Sequence, residues 1–559
     1  MRNRLHQLQL LGLLAVGGLL RLPTFARPIL SDDEAIYAAT ADAMRTGAAL
    51  YRDVVDHKPP AIYFVYRAVM AIFAPWCGPF SLFGPHLAVV VVVLATGLAL
   101  YRVGCALGKE SPSAHASGLG AAALYLVFST TWHDYDALAA NCELFLLLPQ
   151  ALAAALLALP AVESWPRRLG RYLAVGVAIG LSALCKYQGL TFLGVVGALL
   201  VVDAWTRRLT LGRAVLAGVI VVVGTAVPVA GFVLYAARAG SLAESFYWFR
   251  FNFAYVGAGL SGAQALGRGL FRTAIIGGAA LPAYLSGALE VGASVRKVTR
   301  WVRTGAPREA DRTALDVRGS VLVLAWVATS LVALSAGGRF FGHYFHLILA
   351  PLAVAGAPRV TVWWSSLPRR VATIAFALVS ASTFFSLATF ARRAAAAVDE
   401  DDPAYEPTAA RIERLTPADG RIFVWGNSPQ LYLLAHRSMG TRFSFCNYMT
   451  GESPGTDTET GKKDAEANRL AASWDMLFED LERRRPVLFV DAAAAGWDGY
   501  AKFPMSRYPA LLAYVKSRYE LVTGNDTNDR DGADEIHARA HAPVGVEPKT
   551  AVLYRRKSH

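Results

Sequence analysis

Apolar runs of membrane-spanning length recur along the chain from Leu8 to about Phe390. The hydrocarbon core of a bilayer is about 30 Å thick and requires roughly 17–25 mainly apolar residues per helix. The composition agrees, since 54% of the 559 residues are hydrophobic and only 17% are charged, which is unusual for a soluble globular protein. We therefore expect a polytopic α-helical membrane protein. The first run, Leu5 to Leu22, has no small-residue cleavage site before Arg27, which predicts a retained helix.

Basic loops between the apolar runs orient the chain, because cytoplasmic loops of membrane proteins are enriched in Lys and Arg. The loops of this kind are 167–171, 207–213 and 296–318. Working outward from them predicts about eleven transmembrane helices. They are the N-terminal helix and spans near 82–103, 117–132, 143–160, 172–185, 189–205, 214–236, 269–291, 319–336, 343–357 and 370–390. The run Ala61 to Trp76 is short for a span and is predicted to be interfacial or re-entrant, so residues 26–80 form one long external loop.

The formal net charge of +13 fits the same topology. Its basic residues fall between hydrophobic runs, which favours cytoplasmic loops over a nucleic-acid partner. The five cysteines are scattered and form no CxxC pair, so neither a disulfide framework nor a metal knuckle is indicated.

After Phe390 the sequence becomes mixed and polar. Residues 421–425, 487–490 and 551–554 have the pattern of short buried strands, and they alternate with helical stretches at 465–484 and 509–518. This pattern predicts a small α/β domain. We therefore expect residues 1–390 to form the membrane domain and residues 391–559 to form a soluble domain on the extracytoplasmic side.

A carboxylate cluster follows the first apolar run, at Asp32, Asp33 and Glu34. Charged groups at the mouth of a membrane helix are energetically awkward and usually serve function. One of these carboxylates could act as a general base or ligate a divalent cation. The alternative is a helix N-terminus, in which Ser31 or Asp32 caps a helix that runs to Arg45. Both interpretations can hold together, because adjacent residues of a helix point to different faces.

Lys58 lies between His57 and the pair Pro59-Pro60. An ammonium group fixed near the membrane surface suits the phosphate of an anionic lipid-linked substrate. The alternative is an interfacial lysine whose stem snorkels along apolar surface. The two prolines are also well placed to start the following short helix.

Further polar clusters fall on the same predicted face. They are Asn141 with Glu143, Lys186 with Gln188, and Arg339 with His343 and Tyr344. A single cluster of this kind would usually be a helix cap or an interface anchor, but several on one side indicate a shared polar cavity. No Walker loop, HExxH or GxSxG motif is present in the sequence.

These residues carry a resemblance to a known family. The pair Asp33-Glu34 with Tyr37, the run 58–60 and the loop 338–344 resemble the GT-C superfamily of membrane glycosyltransferases. The chain looks most like glycosyltransferase family 39, which includes protein O-mannosyltransferases and the bacterial lipid A aminoarabinose transferase. The resemblance covers roughly residues 5–390.

The resemblance implies inverting transfer of a sugar from a polyprenyl-phosphate donor to a lipid, protein or polysaccharide acceptor on the external face of the membrane. The Ala- and Arg-rich composition indicates a bacterial source, so we expect the protein in a bacterial inner membrane. By the same motifs, Asp33 would be the catalytic base or orient the acceptor, with Glu34 beside it. Lys58 would hold the donor phosphate, assisted by Arg339 and Lys186. The residues that would line the substrate cavity are Tyr37, His57, Asn141, Glu143, Gln188, His343 and Tyr344.

Three points stay open at this stage. The extra Asp32 leaves the identity of the base undecided between Asp32 and Asp33. No cofactor is expected to be required, although a divalent cation is a candidate. The alternative functions are a transporter or flippase of lipid-linked sugars and a non-catalytic assembly protein. The absence of an internal repeat in the sequence argues against a transporter.

Overall fold

The computed structural model describes residues 2–108, 114–132, 137–159, 164–257, 259–304, 316–366, 405–459, 461–522 and 550–558, with scattered positions between 368 and 388. The helices of the N-terminal part are α1 Arg2–Leu20, α2 Asp32–Arg45, α3 Ala61–Cys77, α4 Phe83–Leu107, α5 Ala114–Phe128, α6 Cys142–Ala158, α7 Trp165–Cys185, α8 Leu193–Trp205, α9 Leu211–Arg238, α10 Leu242–Gly257, α11 Gly262–Ala279, α12 Leu281–Thr304, α13 Val317–Ser335 and α14 His346–Ser366.

Among the described residues, seven helical segments are long and apolar enough to cross a membrane. They are Arg4–Phe25, Phe83–Leu107, Trp165–Cys185, Tyr187–Trp205, Leu211–Arg238, Val317–Gly338 and Gly342–Trp364. The polytopic helical fold is thus confirmed. At the other predicted spans, α5 and α6 are shorter apolar helices, and 370–390 lies largely outside the described residues.

The span predicted near 269–291 differs from a straight helix. The chain direction bends there by 112° between α11 and α12. Pro282 lies in the first turn of α12, and its ring nitrogen has no N–H to continue the hydrogen-bond ladder of α11. The sequence contains the proline that explains this break.

Small residues allow the central helices to approach closely. A Cβ atom at Gly176 of α7 would lie 2.2 Å from the carbonyl oxygen of Val221 on α9, and one at Gly224 would lie 2.4 Å from the carbonyl oxygen of Leu173. Glycine at both positions therefore permits backbone contact between α7 and α9, a common device in helix packing within membranes.

The C-terminal region contains a small mixed sheet. Its elements are α15 Tyr405–Leu415, β1 Ile422–Trp425, α16 Gln430–Leu434, α17 Asn447–Thr450, α18 Ala472–Arg484, β2 Leu488–Asp491, α19 Pro509–Arg518, β3 Tyr519–Leu521 and β4 Val552–Arg556. The strand order is β1-β2-β4-β3. β1 and β2 are parallel, with Ile422 opposite Leu488, and β4 is antiparallel to β2 and β3. The predicted strands are confirmed, and β3 is an addition.

This α/β region docks on α2 and the loop after it. The amide of Val55 donates to the carbonyl of Arg442 at 2.9 Å, which forms a bridge between Val55 and Phe443. Ser438 Oγ donates to Asp42 Oδ2 at 2.6 Å. The segment from α2 to Val55 therefore lies between the helical bundle and the α/β region. The boundary predicted at residue 391 lies outside the described residues.

Candidate active site

A cavity of about 990 Å³ lies between one end of the helical bundle and the α/β region. The start of α2, the loops 56–59, 186–190 and 336–344, and one side of α10 form its walls. Residues 445–454 and 467–470 of the α/β region cover it. The predicted site residues that line it are Asp32, Asp33, His57, Lys58, Lys186, Gln188, Arg339, His343 and Tyr344.

Asp33 and Lys58 form a charged pair on the cavity wall. Lys58 Nζ lies 2.5 Å from Asp33 Oδ1 and donates to the Tyr37 hydroxyl at 2.8 Å. That hydroxyl donates to Asp33 Oδ2 at 3.1 Å. The side chains of Lys58 and Asp33 are 16% and 28% exposed, so both face the cavity. Tyr37 is buried beneath them and fixes their relative position.

The charges around the cavity keep this pair ionised. Burial alone would raise the pKa of the Asp33 carboxyl, but Lys58, His343 and Lys186 hold it below its usual value. Burial alone would lower the pKa of Lys58, but Asp33 and Asp56 raise it above its usual value. Asp33 is therefore a carboxylate, and Lys58 an ammonium ion, throughout the neutral pH range.

The loop that carries Lys58 is held by a fully buried carboxylate, Asp56. Its Oδ1 accepts from the His57 amide at 2.6 Å and from the Tyr448 hydroxyl at 3.3 Å, and its Oδ2 accepts from Tyr63 at 2.7 Å. Burial would raise the pKa of Asp56, but His57, Lys58 and Tyr63 hold it well below its usual value. Asp56 was not among the predicted site residues, although it stands in the same short run as Lys58.

A second cation, Lys186, lies on the cavity wall directly after the end of α7. Lys186 Nζ donates to Glu143 Oε1, and His343 Nε2 lies 3.8 Å from the same oxygen. The Lys186 ammonium also lies 3.9 Å from the centroid of the Tyr344 ring. Glu143 is buried behind Lys186 and positions it, so the structure brings the predicted clusters at 143, 186 and 343–344 together.

Arg339 lines the cavity but already makes several contacts. Its Nε donates to the carbonyl of Pro454 at 3.1 Å, and its Nη2 donates to Ser453 Oγ at 2.9 Å and to the carbonyl of Tyr255 at 3.0 Å. The guanidinium also stacks on the Tyr255 ring, 3.9 Å from its centroid. Arg339 therefore joins the bundle to the cover of the cavity, in addition to its predicted role toward donor phosphate.

The remaining carboxylates of the cluster point in different directions. Ser31 caps α2, as its Oγ accepts from the Glu34 amide at 3.4 Å. Asp32 Oδ1 accepts from Gln430 Nε2 of the α/β region at 2.5 Å. Glu34 is fully buried, with Oε1 accepting from the Ala140 amide at 2.5 Å and Oε2 from the Leu30 amide at 2.8 Å. Glu34 therefore lies outside the cavity and ties two backbone segments together.

Asn141, like Glu34, Tyr37 and Glu143, lies behind the cavity lining. Its Oδ1 accepts from Ser31 Oγ at 3.5 Å, so it supports the start of α2. Polar residues of the α/β region occupy the opposite wall instead: Asn427, Asn447, Glu452 and Ser453. No motif marked these residues in the sequence, and only the tertiary structure brings them to the cavity.

The described residues contain no group of three or more His, Cys, Asp and Glu side chains arranged to hold a metal ion. The described partner nearest to Asp33 is the Lys58 ammonium group, and Lys58 and Lys186 are the lysines that line the described cavity.

No protein-family model and no curated relative matches the sequence. Solved structures do match. ArnT from Cupriavidus metallidurans, in a structure bound to undecaprenyl phosphate, is 15% identical with a TM-score of 0.56, over 97% of each chain. The Archaeoglobus fulgidus oligosaccharyltransferase, in a structure tethered with an acceptor peptide, is 12% identical with a TM-score of 0.53, over 91% of this chain and 72% of that one.

The chain has the GT-C fold. The fold implied by the short motifs is thereby confirmed along almost the whole chain, beyond the roughly 390 residues that carried the resemblance. The archaeal enzyme was also solved with dolichol-phosphate and an inhibitory peptide, and in another structure with Zn and sulfate.

Proposed function

We propose that this protein transfers a sugar from a polyprenyl-phosphate donor to an acceptor hydroxyl or amine. One observation carries the proposal: a carboxylate, Asp33, and two ammonium groups, Lys58 and Lys186, line a single cavity at one end of a GT-C bundle. An anionic leaving group and a nucleophile that must lose a proton require this combination of charges.

The proposed step is a direct displacement. The acceptor atom forms a bond to the anomeric carbon while the bond from that carbon to the phosphate oxygen breaks. The electron pair leaves on the polyprenyl phosphate, whose growing negative charge Lys58 and Lys186 stabilise. The acceptor proton passes to the Asp33 carboxylate, and the configuration at the anomeric carbon inverts.

Asp33 suits the role of base better than Asp32. Asp33 faces the cavity and is held as a carboxylate beside Lys58, whereas Asp32 accepts a hydrogen bond from Gln430 in the covering α/β region. We propose that Asp32 positions this cover. For Glu34, which is fully buried between backbone amides, we propose a role in holding the start of α2.

The apolar side of the cavity offers a path for the polyprenyl chain. Phe249, Phe251 and Phe253 of α10 line it together with Leu190. Phe253 is also 71% exposed and Phe249 42% exposed on the outer surface of the protein. A lipid chain could therefore leave the cavity between α10 and the segment around residue 190 while its phosphate stays near the lysines.

We propose that the cavity and the α/β region lie on the extracytoplasmic side of a bacterial inner membrane. The basic segments of α7 and of the loop after α8 lie at the other end of the bundle, where Arg168 and Arg208 line a separate cavity. This arrangement follows the enrichment of Lys and Arg in cytoplasmic loops. The described α/β region would then cover the site from outside.

The decisive experiment is sugar transfer by the purified protein from a panel of radiolabelled polyprenyl-phosphate sugars, with envelope extract as the acceptor source. We expect Asp33→Asn to reduce transfer by at least about 100-fold, the usual contribution of a catalytic base. Asp32→Asn, the matched control on the same helix turn, should retain most of the activity. Equal activity in wild type and Asp33→Asn would refute the mechanism.

The alternative function, a transporter of lipid-linked sugars, is tested with the same panel of labelled donors. If proteoliposomes move labelled donor across the bilayer without transferring sugar, and Asp33→Asn does not change this movement, the protein is a flippase. Transfer without net donor movement supports the enzyme.

A further inference from the structure

A second cavity, of about 430 Å³, lies at the opposite end of the bundle. Helix α13 connects the two cavities, because Asp316 and Gly319 at its start line the second one and Ala336 after its end lines the first. The 19 residues of α13 rise about 28 Å at 1.5 Å per residue, close to the thickness of the hydrocarbon core. The second cavity is therefore at the far membrane surface.

Arginine dominates the polar lining of this cavity. Among the described residues, four arginines and two aspartates contribute, an excess of two positive charges: Arg168, Arg171, Arg208, Arg318, Asp203 and Asp316. Both oxygens of Asp203 accept from Arg318, at 2.9 and 3.2 Å. Asp316 caps α13 by accepting from the Gly319 amide at 2.6 Å. Both carboxylates thus already accept hydrogen bonds within the protein. The positive charge of the arginines that line the cavity exceeds the negative charge of these two aspartates.

The rest of the described lining is mainly apolar, with leucines at 107, 156, 157, 159, 209 and 322 beside Tyr172. Aromatic side chains nearby mark the membrane surface. The rings of Trp205 and Trp301 lie 5.8 Å apart, and Trp205 is 64% exposed. Tryptophan is enriched at membrane–water interfaces. An anionic ligand at this level can therefore have a charged head beside the arginines and an apolar part beside the leucines.

We infer that this cavity binds a phosphate group, and that an anionic phospholipid headgroup supplies it. Guanidinium groups form paired hydrogen bonds with phosphate oxygens, and basic pockets between transmembrane helices bind anionic headgroups. The site is separate from the sugar-transfer site and does not depend on the proposed function. A soluble phosphate has the same recognition chemistry, so the experiment must separate the two sources.

Binding is measured with the purified full-length chain in uncharged detergent, by thermophoresis with short-chain phosphatidylglycerol, short-chain phosphatidylcholine or inorganic phosphate. We expect saturable binding of phosphatidylglycerol and at least tenfold weaker binding of phosphatidylcholine. The variant Arg168→Gln/Arg208→Gln should weaken phosphatidylglycerol binding by at least about tenfold, since it removes two guanidinium groups that form charge-assisted hydrogen bonds with the phosphate.

The matched control is Arg167→Gln/Arg207→Gln. It removes the same charge from adjacent exposed positions that do not line the cavity, and it should change the affinity by less than about twofold. Equal losses in both double variants would show a general surface-charge effect and overturn the site. Absence of saturable binding in the wild type would also overturn it. Tighter binding of inorganic phosphate than of the lipid, lost in the same variant, would retain the phosphate site and overturn the lipid source.

Discussion

Lys58 Nζ lies 2.5 Å from Asp33 Oδ1 across 25 residues of sequence. The Tyr37 hydroxyl contacts both groups, so each side chain is fixed by the other two. This arrangement balances the charge of the Asp33 carboxylate against that of the Lys58 ammonium ion. A donor phosphate can then share the ammonium without a net charge being buried alone, which would be unfavourable.

Replacing Lys58 tests this relationship. Lys58→Ala should reduce kcat/KM for the donor by at least about 100-fold, because the leaving phosphate loses a cation. Lys58→Arg should retain more activity, because it keeps the charge while changing the geometry. Both are measured by transfer kinetics, together with binding of polyprenyl phosphate alone.

Arg45→Ala is the control for Lys58→Ala, since Arg45 pairs with Asp42 at 2.6 Å at the C-terminal end of α2 and does not line the cavity. We expect it to leave kcat/KM unchanged. Unaltered binding of polyprenyl phosphate by Lys58→Ala would contradict the proposed contact with the donor.

Tyr448 belongs to the α/β region, and we expect its hydroxyl to hold the loop that carries Lys58 in position. It lies 3.3 Å from Asp56 Oδ1 and 3.2 Å from His57 Nδ1. Tyr448→Phe should lower kcat by about tenfold through a misplaced Lys58, since small displacements in an active site reduce rates strongly. The readout is kcat and KM measured separately, with thermal unfolding as a check on stability.

Tyr432→Phe is the matched control, because the Tyr432 hydroxyl is also buried and accepts from the Val424 amide inside the α/β region. It should lower stability by a similar amount, on the order of 1 kcal/mol, without changing kcat. If both variants reduce kcat equally, Tyr448 acts through folding alone and the positioning role is wrong.

Helix geometry explains why Asp33 could be predicted from the sequence as a site residue, whereas the different roles of its neighbours Asp32 and Glu34 could not. Consecutive residues of a helix are rotated by about 100°, so three adjacent carboxylates must point in three directions. The structure sends Asp33 to Lys58, Asp32 to Gln430 and Glu34 to the buried amide of Ala140. The sequence contains the periodicity, but it does not show which face of α2 meets the cavity.

The residues of the α/β region that cover the cavity could not be predicted from the sequence, for a different reason. Asn447, Tyr448 and Glu452 lie almost 400 residues from Asp56 along the chain, and they reach the cavity through docking of the α/β region on α2. Apolar periodicity predicted the helices and most strands, because it depends on local sequence. Contacts between distant segments leave no such local pattern.

Chelation of divalent cations should leave sugar transfer intact. Lys58 and Lys186 line the cavity and can neutralise the phosphate charge, the role a divalent cation would otherwise serve. We expect less than about twofold loss of activity after EDTA treatment and removal of the chelator. A large loss that Mg²⁺, Mn²⁺ or Zn²⁺ restores would show that a cation takes part, with ligands beyond those seen among the described residues.

Asp491 should make the stability of the α/β region depend on pH. It ends β2, is buried, and accepts from the Ala494 amide at 3.2 Å. Burial raises the pKa of Asp491 to about 7, against a smaller opposite effect from the amides of Ala494 and Ala493. Tyr554 on the adjacent strand β4 and Cys446 are the titratable groups that interact with it.

Because the folded state binds the Asp491 proton more tightly than the unfolded state does, stability should fall as pH rises from about 4 to about 7 and stay low above that. Asp491→Asn should flatten this dependence and stabilise the protein above pH 7 by at least about 1 kcal/mol. Thermal unfolding of the full chain, followed from about pH 4 to about pH 8.5, measures the effect. The control is Asp419→Asn, at an exposed position of the same region, which should leave the pH dependence unchanged. Equal destabilisation of Asp491→Asn at every pH would mean that the buried carboxyl stays ionised in the folded protein.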